Sequence, residues 1–242
     1  MSEHETELTY SLKDFIGQDN VVESIKAGIK FSKARKEVLD HILIGGIKGS
    51  GKNTLALSIA HELETNIRVT SFYAIKNASD FAAILTNLSE GDILLIENFD
   101  AIKLDCIDLL SDAMDSFCIN VIIGKGPSSR SIRLPLPSFT LIASTEALDK
   151  VPKEIRSCFA RIVSLHEYTV DELKQLILKH AAEMQISVDE EGAELLANYA
   201  NGSHRKVVNA LKRARDFAIV KNAGVVNQEI ATQAIEMISE FD

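Results

Sequence analysis

The sequence predicts an α/β fold with a parallel sheet, followed by a small all-helical domain. Three observations predict it. The first half of the 242 residues alternates short β-rich apolar runs with amphipathic stretches, which is the pattern of βαβ units. A glycine-rich turn, Gly46 to Asn53, stands between one of those runs and a helical stretch. Past Tyr168 only helical periodicity remains.

In chain order, residues 19–38 carry Val22, Ile25 and Ile29 at helical spacing. Ile42-Leu43-Ile44 reads as a strand, and a helix follows from about Asn53 to Glu64. Ile93-Leu94-Leu95-Ile96, bounded by Gly91-Asp92 and Glu97-Asn98, is apolar at every position. A strand covered on both faces of a parallel sheet has that composition. Asn120 to Ile123 and Ser131 to Leu134 flank Gly124-Lys125-Gly126-Pro127 and read as a hairpin. Phe139 to Ala143 is a third buried strand. Thr169-Val170-Asp171-Glu172 is a capping box opening the helical region, and Asn201-Gly202-Ser203 breaks it. The domain boundary is expected at 166–169, giving residues 1–167 and 168–242.

With 46% hydrophobic and 25% charged residues, the chain is long enough for one large or two small globular domains. A net charge of -9 argues against tight nonspecific nucleic-acid binding by the surface as a whole, which needs clustered cations. A local basic face is expected over residues 205–221. There Arg205, Lys206, Lys212, Arg213, Arg215 and Lys221 face only Asp216, and the readings are a solvated helix face or a DNA-backbone contact. Cys106, Cys118 and Cys158 are odd in number and show no CxxC spacing, so free thiols in a reducing compartment are expected. The opening residues lack the basic and apolar regions of a signal peptide. No apolar run approaches the roughly 20 residues of a membrane span. No membrane partner is expected, and the expected location is the cytoplasm.

Gly46-Ile47-Lys48-Gly49-Ser50-Gly51-Lys52-Asn53 fits the GxxxxGK phosphate loop between strand and helix. Glycines let successive N–H groups turn inward toward phosphate oxygens. The helix N-terminus adds partial positive charge, and Lys52 supplies a compact cation. Asn53 stands where Ser or Thr would place a hydroxyl on Mg²⁺, so magnesium binding is expected to be weakened. Thr54, about 100° round the helix, offers no evident substitute. The strand 93–96 ends in Glu97-Asn98. Glu97 can reach a metal, but the amide of Asn98 cannot take a proton from water. Loss of a general base costs about 10²–10⁴ in rate, and Asp100 is expected to point elsewhere.

These residues, with Phe15-Ile16-Gly17-Gln18, Ala82 to Leu88, Ile123 to Pro127, Ser129 to Leu134 and Leu136 to Ile142, resemble the RuvB family over roughly residues 12–240. RuvB is the ATPase motor of Holliday-junction branch migration. The resemblance implies a P-loop NTPase core of the AAA+ type with a helical lid, ATP/ADP as ligand with weakly held Mg²⁺, and a homo- or hetero-oligomeric ring. It implies a RuvA-like partner at the hairpin 120–134, and DNA as substrate. The winged-helix domain into which RuvB continues has no counterpart in these 242 residues.

Carried over by resemblance, Ile16 lies near the adenine, and Gly46, Ile47, Lys48, Gly49, Ser50, Gly51, Lys52, Asn53 and Thr54 surround the phosphates. Asn53 and Glu97 are the metal positions. Lys52, Glu97, Asn98 and Thr145 form a degenerate catalytic set, with Thr145 as the sensor of the γ-phosphate. Arg156 and Tyr168 line the nucleotide, and Arg205 is a second sensor. The arginine finger falls on Cys158, flanked out of register by Arg156 and Arg161. Asn53, Asn98 and Cys158 together imply slow hydrolysis. The expected functions are a divergent ATPase in DNA recombination and repair, or a non-catalytic pseudo-ATPase subunit or regulator.

Overall fold

A computed structural model describes residues 11–123, 130–221 and 224–239. The chain divides into two compact units. The first gathers residues up to Phe15 with Asn20–Gly45 and Lys52–Ser164, and the second gathers Ile16–Asp19, Gly46–Gly51 and Leu165 onward.

In the first unit, α1 (Asp19–Arg35) leads into β1 (Ile42–Gly46) and α2 (Lys52–Leu63). The alternation continues through β2 (Ile67–Ser71), α3 (Ala78–Thr86), β3 (Ile93–Glu97) and α4 (Leu104–Ser116). After a hairpin of β4 (Cys118–Ile123) and β5 (Arg130–Pro135) come β6 (Thr140–Thr145), α5 (Lys153–Arg156) and β7 (Arg161–Leu165). α1 ends earlier than periodicity suggests, because Lys36 takes a left-handed φ of 58°.

The main sheet runs β2-β3-β6-β1-β7, and β2–β3, β3–β6 and β6–β1 pair in parallel. The three central strands are buried nearly throughout, as their unbroken apolar runs require. The sequence reading missed β2 and β7, and their composition says why. Arg68, Thr70 and Arg161 give these edge strands half-exposed, mixed compositions without an unbroken apolar run. The hairpin is antiparallel in the register Asn120↔Arg133 and Val121↔Ile132. Its expected turn, Gly124 to Pro127, lies outside the described residues. The core beneath β3 and β6 is knit by Phe72, Phe81, Phe99 and Phe159. Their rings meet edge to face, with centroids 5.6 Å apart for Phe72–Phe81, 5.3 Å for Phe72–Phe99 and 5.4 Å for Phe99–Phe159.

The second unit holds α6 (Val170–Glu183), β8 (Ser187–Val188), α7 (Glu190–Ala200), α8 (His204–Lys221), β9 (Val225–Val226) and α9 (Gln228–Ser239). The capping box forms: Thr169 accepts from the Glu172 N–H while Glu172 accepts from Thr169. The expectation of helices alone is corrected by β8 and β9, which pair in parallel as Ser187↔Val225 and Val188↔Val226. Two-residue strands are too short to leave a period in sequence. Buried alanines, among them Ala193, Ala197, Ala210, Ala214 and Ala231, let the helix axes approach closely. Among the described residues no helix is long and apolar enough to cross a membrane.

Candidate nucleotide-binding site

The phosphate loop begins where β1 ends and gives way to α2 at Lys52, so the N-terminal turn of α2 follows the loop directly, as anion binding at a helix start requires. Within the second unit the loop segment Gly46–Gly51 packs against the start of α8. Gly49 has φ +85°, and a Cβ built there would lie 2.4 Å from Ser203 Oγ and 3.0 Å from Arg205 Cβ. Only glycine fits both that backbone and that gap. Ser50 is fully buried, and its Oγ has no hydrogen-bond partner among the described residues. A buried hydroxyl without a partner is costly, and a phosphate oxygen is an acceptor of the kind it lacks. Ile47 and Lys48 are exposed on the loop's outer side.

Other parts of the second unit frame the loop. Gln18 is buried, with its amide bonded twice to His166: Nε2 donates to the carbonyl at 2.8 Å, and Oε1 accepts from the N–H at 3.0 Å. That explains the glutamine of the Phe15-Ile16-Gly17-Gln18 segment, which the resemblance matched without a reason. Ile16 packs against the helical core. Tyr168 is buried, its N–H donates to Gly202 O at 3.1 Å, and burial raises its phenol pKa. Arg205, the first exposed cation of α8, makes no ion pair among the described residues. Farther along the basic face, Arg215 and Arg213 share Asp216, at 2.9 Å and 4.0 Å, and Lys221 donates to Gln233.

The first unit holds the residues expected at metal and water. Asn53 Nδ2 donates to Glu97 Oε1, so the two expected metal positions are bonded to each other. Asn98 takes a left-handed backbone, φ 54° and ψ 48°, and its Nδ2 donates to Ser71 Oγ at 2.9 Å. Asparagine is among the few residues that adopt that conformation readily. Thr145 Oγ1 donates to Asp100 Oδ1 at 2.6 Å and accepts from the Ala147 N–H at 3.0 Å. Asp100 is therefore engaged as a partner of the expected sensor. Thr54 is half-buried, and its carbonyl accepts from Ser58 Oγ. Arg156 is half-buried at the end of α5, and Cys158 Sγ lies 3.7 Å from Glu154 O. Ser71, Ser203 and the Gln18–His166 pair were missed in the sequence. Only Ser203 had a signal, the break at Asn201-Gly202-Ser203.

The glycine-lined curl, the orphaned Ser50 hydroxyl and Lys52 at a helix start fit a nucleotide's phosphates. The fit to magnesium is narrower. Asn53 presents an N–H toward Glu97 rather than an oxygen toward a cation, which leaves Glu97 as the one oxygen ligand of the expected pair. Mg²⁺ commonly completes its shell with phosphate oxygens and water.

A family model described as "Holliday junction DNA helicase RuvB P-loop domain" matches residues 9–165, and one described as "RuvB AAA lid domain" matches residues 168–240. The Holliday junction branch migration complex subunit RuvB of Kosmotoga olearia is 41% identical over 227 residues, 94% of this chain and 66% of that protein. Its counterpart from Thermotoga petrophila is 39% identical over 95% of this chain and 69% of that protein. The chain thus spans about two thirds of the length of these relatives. Among solved structures, the Thermotoga maritima RuvB Holliday junction branch migration motor superposes with a TM-score of 0.83 at 35% identity, covering 94% of this chain and 72% of that one. A point mutant of the same protein reaches a TM-score of 0.86 over 95% and 73%. With one family model over residues 9–165, another over residues 168–240 and relatives about 40% identical over nearly the whole chain, the chain belongs to the RuvB family of AAA+ P-loop proteins.

Proposed function

We propose that the chain is an ATP-binding subunit of the RuvB type that serves Holliday-junction branch migration and hydrolyses ATP slowly. The observation that carries the reading is the phosphate loop: a strand–glycine curl–helix unit with Lys52 in place and the start of α8 packed on Gly49. ATP supplies a triphosphate whose γ-bond releases free energy when water attacks it. The chain's own groups divide the work. The loop amides and Lys52 bind and orient the phosphates, Ser50 Oγ offers a hydrogen bond, and Arg205 bears on nucleotide from the start of α8.

Slow hydrolysis is supported by how the remaining groups are spent. Asn98 has no basic lone pair, and its Nδ2 donates to Ser71 Oγ. Asp100, the next carboxylate after Asn98 along the chain, accepts from Thr145. Glu97 accepts from Asn53. The site can therefore hold charge in place but offers no evident group to take a proton from water. The same observation favours a second reading, a non-catalytic subunit whose bound nucleotide sets its conformation beside an active RuvB-type neighbour. A RuvA-like protein at the β4–β5 hairpin and DNA contact by the α8 cations complete the proposal, and Mg²⁺ is held by Glu97 with phosphate and water.

Phosphate release from saturating ATP, with and without four-way-junction DNA, tests the reading. The expected rate stays within a few-fold of buffer alone, although ATP is bound. Junction-stimulated turnover of about 1 s⁻¹ or more, the lower end of ordinary enzymes, would overturn the slow-hydrolysis part.

A further inference from the structure

Two histidines meet beside the start of α8, in the second unit. His180 of α6 and His204, the first residue of α8, lie nearly coplanar and end to end, with ring centroids 5.1 Å apart and planes 15° apart. Their Nε2 atoms are 2.8 Å from each other. His180 Nδ1 lies 2.9 Å from Glu183 Oε2, and the Tyr168 ring stands edge-on to His204 at 6.1 Å.

The distances count protons. A nitrogen–nitrogen contact of 2.8 Å needs one N–H and one lone pair. Glu183 accepts from His180 Nδ1–H, so neutral His180 offers a lone pair at Nε2 and His204 donates its Nε2–H there. The contact survives one added proton and fails with two, when N–H would face N–H. Burial pushes the His204 imidazole down to about 4, and His180 and Lys179 push it the same way. The charged or titratable groups facing the pair are Lys179 and Glu183 of α6 and Tyr168 before it.

What the pair fixes is the helix start that meets the phosphate loop. Ser203, which caps α8 by accepting from the Lys206 N–H, and Arg205 flank His204 in sequence and are the two residues against Gly49. We propose that the His180–His204 hydrogen bond is a latch from α6 that positions the first turn of α8, and Arg205 with it, against the phosphate loop. His180 and His204 are positioning residues, and the inference rests on the nucleotide-binding reading given above.

The test is ATP affinity by calorimetry near pH 7.5 for the parent chain, His180→Phe and His180→Gln, each also made in an Arg205→Ala background. Phenylalanine fills the space without an acceptor. Glutamine places an amide oxygen where Nε2 stood and carries no charge. One net hydrogen bond is worth about 0.5–1.5 kcal/mol, or roughly 2–12-fold in affinity. His180→Phe is expected to weaken binding about fivefold, and His180→Gln to restore it to within twofold. The Phe effect should vanish once Arg205 is gone, because the latch acts through that side chain. In ¹⁵N spectra near pH 7.5, His204 is expected to be neutral with its proton on Nε2.

A glutamine variant no better than phenylalanine overturns the latch, as does a Phe effect that persists without Arg205, or a His204 proton found on Nδ1. In each of those outcomes the parent chain still binds ATP. A parent chain that binds no ATP at all sinks the nucleotide reading itself, and the latch with it.

Discussion

Asn53→Thr, Asn98→Glu and Cys158→Arg, made together, are expected to raise ATP turnover at least ~100-fold over the parent chain. On the proposed slow-hydrolysis reading, each change supplies one group the site lacks. Threonine at 53 brings a hydroxyl to the metal and frees Glu97 from the amide it now accepts. Glutamate at 98 brings a carboxylate beside Ser71, and a positioned base contributes about 10²–10⁴. Arginine at 158 restores the finger that the family resemblance places there, a group worth about 10³–10⁵. By the family resemblance such a finger reaches a neighbouring subunit, so its share is expected only at high protein concentration. The gain has a cost in stability, because glutamate at a left-handed position such as that of Asn98, φ 54°, loses about 1–2 kcal/mol. Steady-state phosphate release at two protein concentrations, with denaturant melts alongside, measures both. A triple variant that binds ATP as the parent does, and is still silent, would mean the spent carboxylates are not what limits hydrolysis.

Gly49→Ala is expected to destabilise the chain by about 2–5 kcal/mol and to weaken ATP binding with it. Two contributions add. A left-handed alanine costs about 1–2 kcal/mol, and forcing a Cβ into contact with Ser203 costs a further ~1–3 kcal/mol of overpacking. Gly224 separates them: its φ is +84°, against +85° at Gly49, but a Cβ there meets nothing within 4 Å. Gly224→Ala should therefore show the backbone cost alone and leave nucleotide affinity unchanged. Denaturant melts of both variants check the difference. Equal losses at the two glycines would mean that Ser203 gives way easily and that the packing of α8 on the loop is loose.

The parts of the fold legible in the sequence are those where burial forces composition. Ile93 to Ile96 and Phe139 to Ala143 are apolar at nearly every position because both faces of their strands are covered. Edge strands carry no such constraint, and β2 with Arg68 and β7 with Arg161 passed unnoticed for that reason. The phosphate loop was legible because its chemistry depends on a contiguous run of backbone. The hydrogen bonds that decide what the site can do were not. Thr145 and Asp100 lie 45 residues apart and Asn98 and Ser71 lie 27 apart, and no local pattern announces such a pair. Asn53 and Glu97 were both singled out, as metal positions, yet nothing in their spacing showed that the amide would turn its N–H to the carboxylate. The lid helices were plain, but not the imidazole contact between α6 and α8, for each histidine alone sits unremarkably on its helix.

Titration calorimetry of ATP into the parent chain and into Lys52→Ala tests the central claim most directly. The account predicts association near micromolar Kd for the parent, weakened about 10- to 100-fold by Lys52→Ala, the loss of one charge-assisted contact of ~1.5–3 kcal/mol. No heat with the parent, or the same affinity for both proteins, would contradict it.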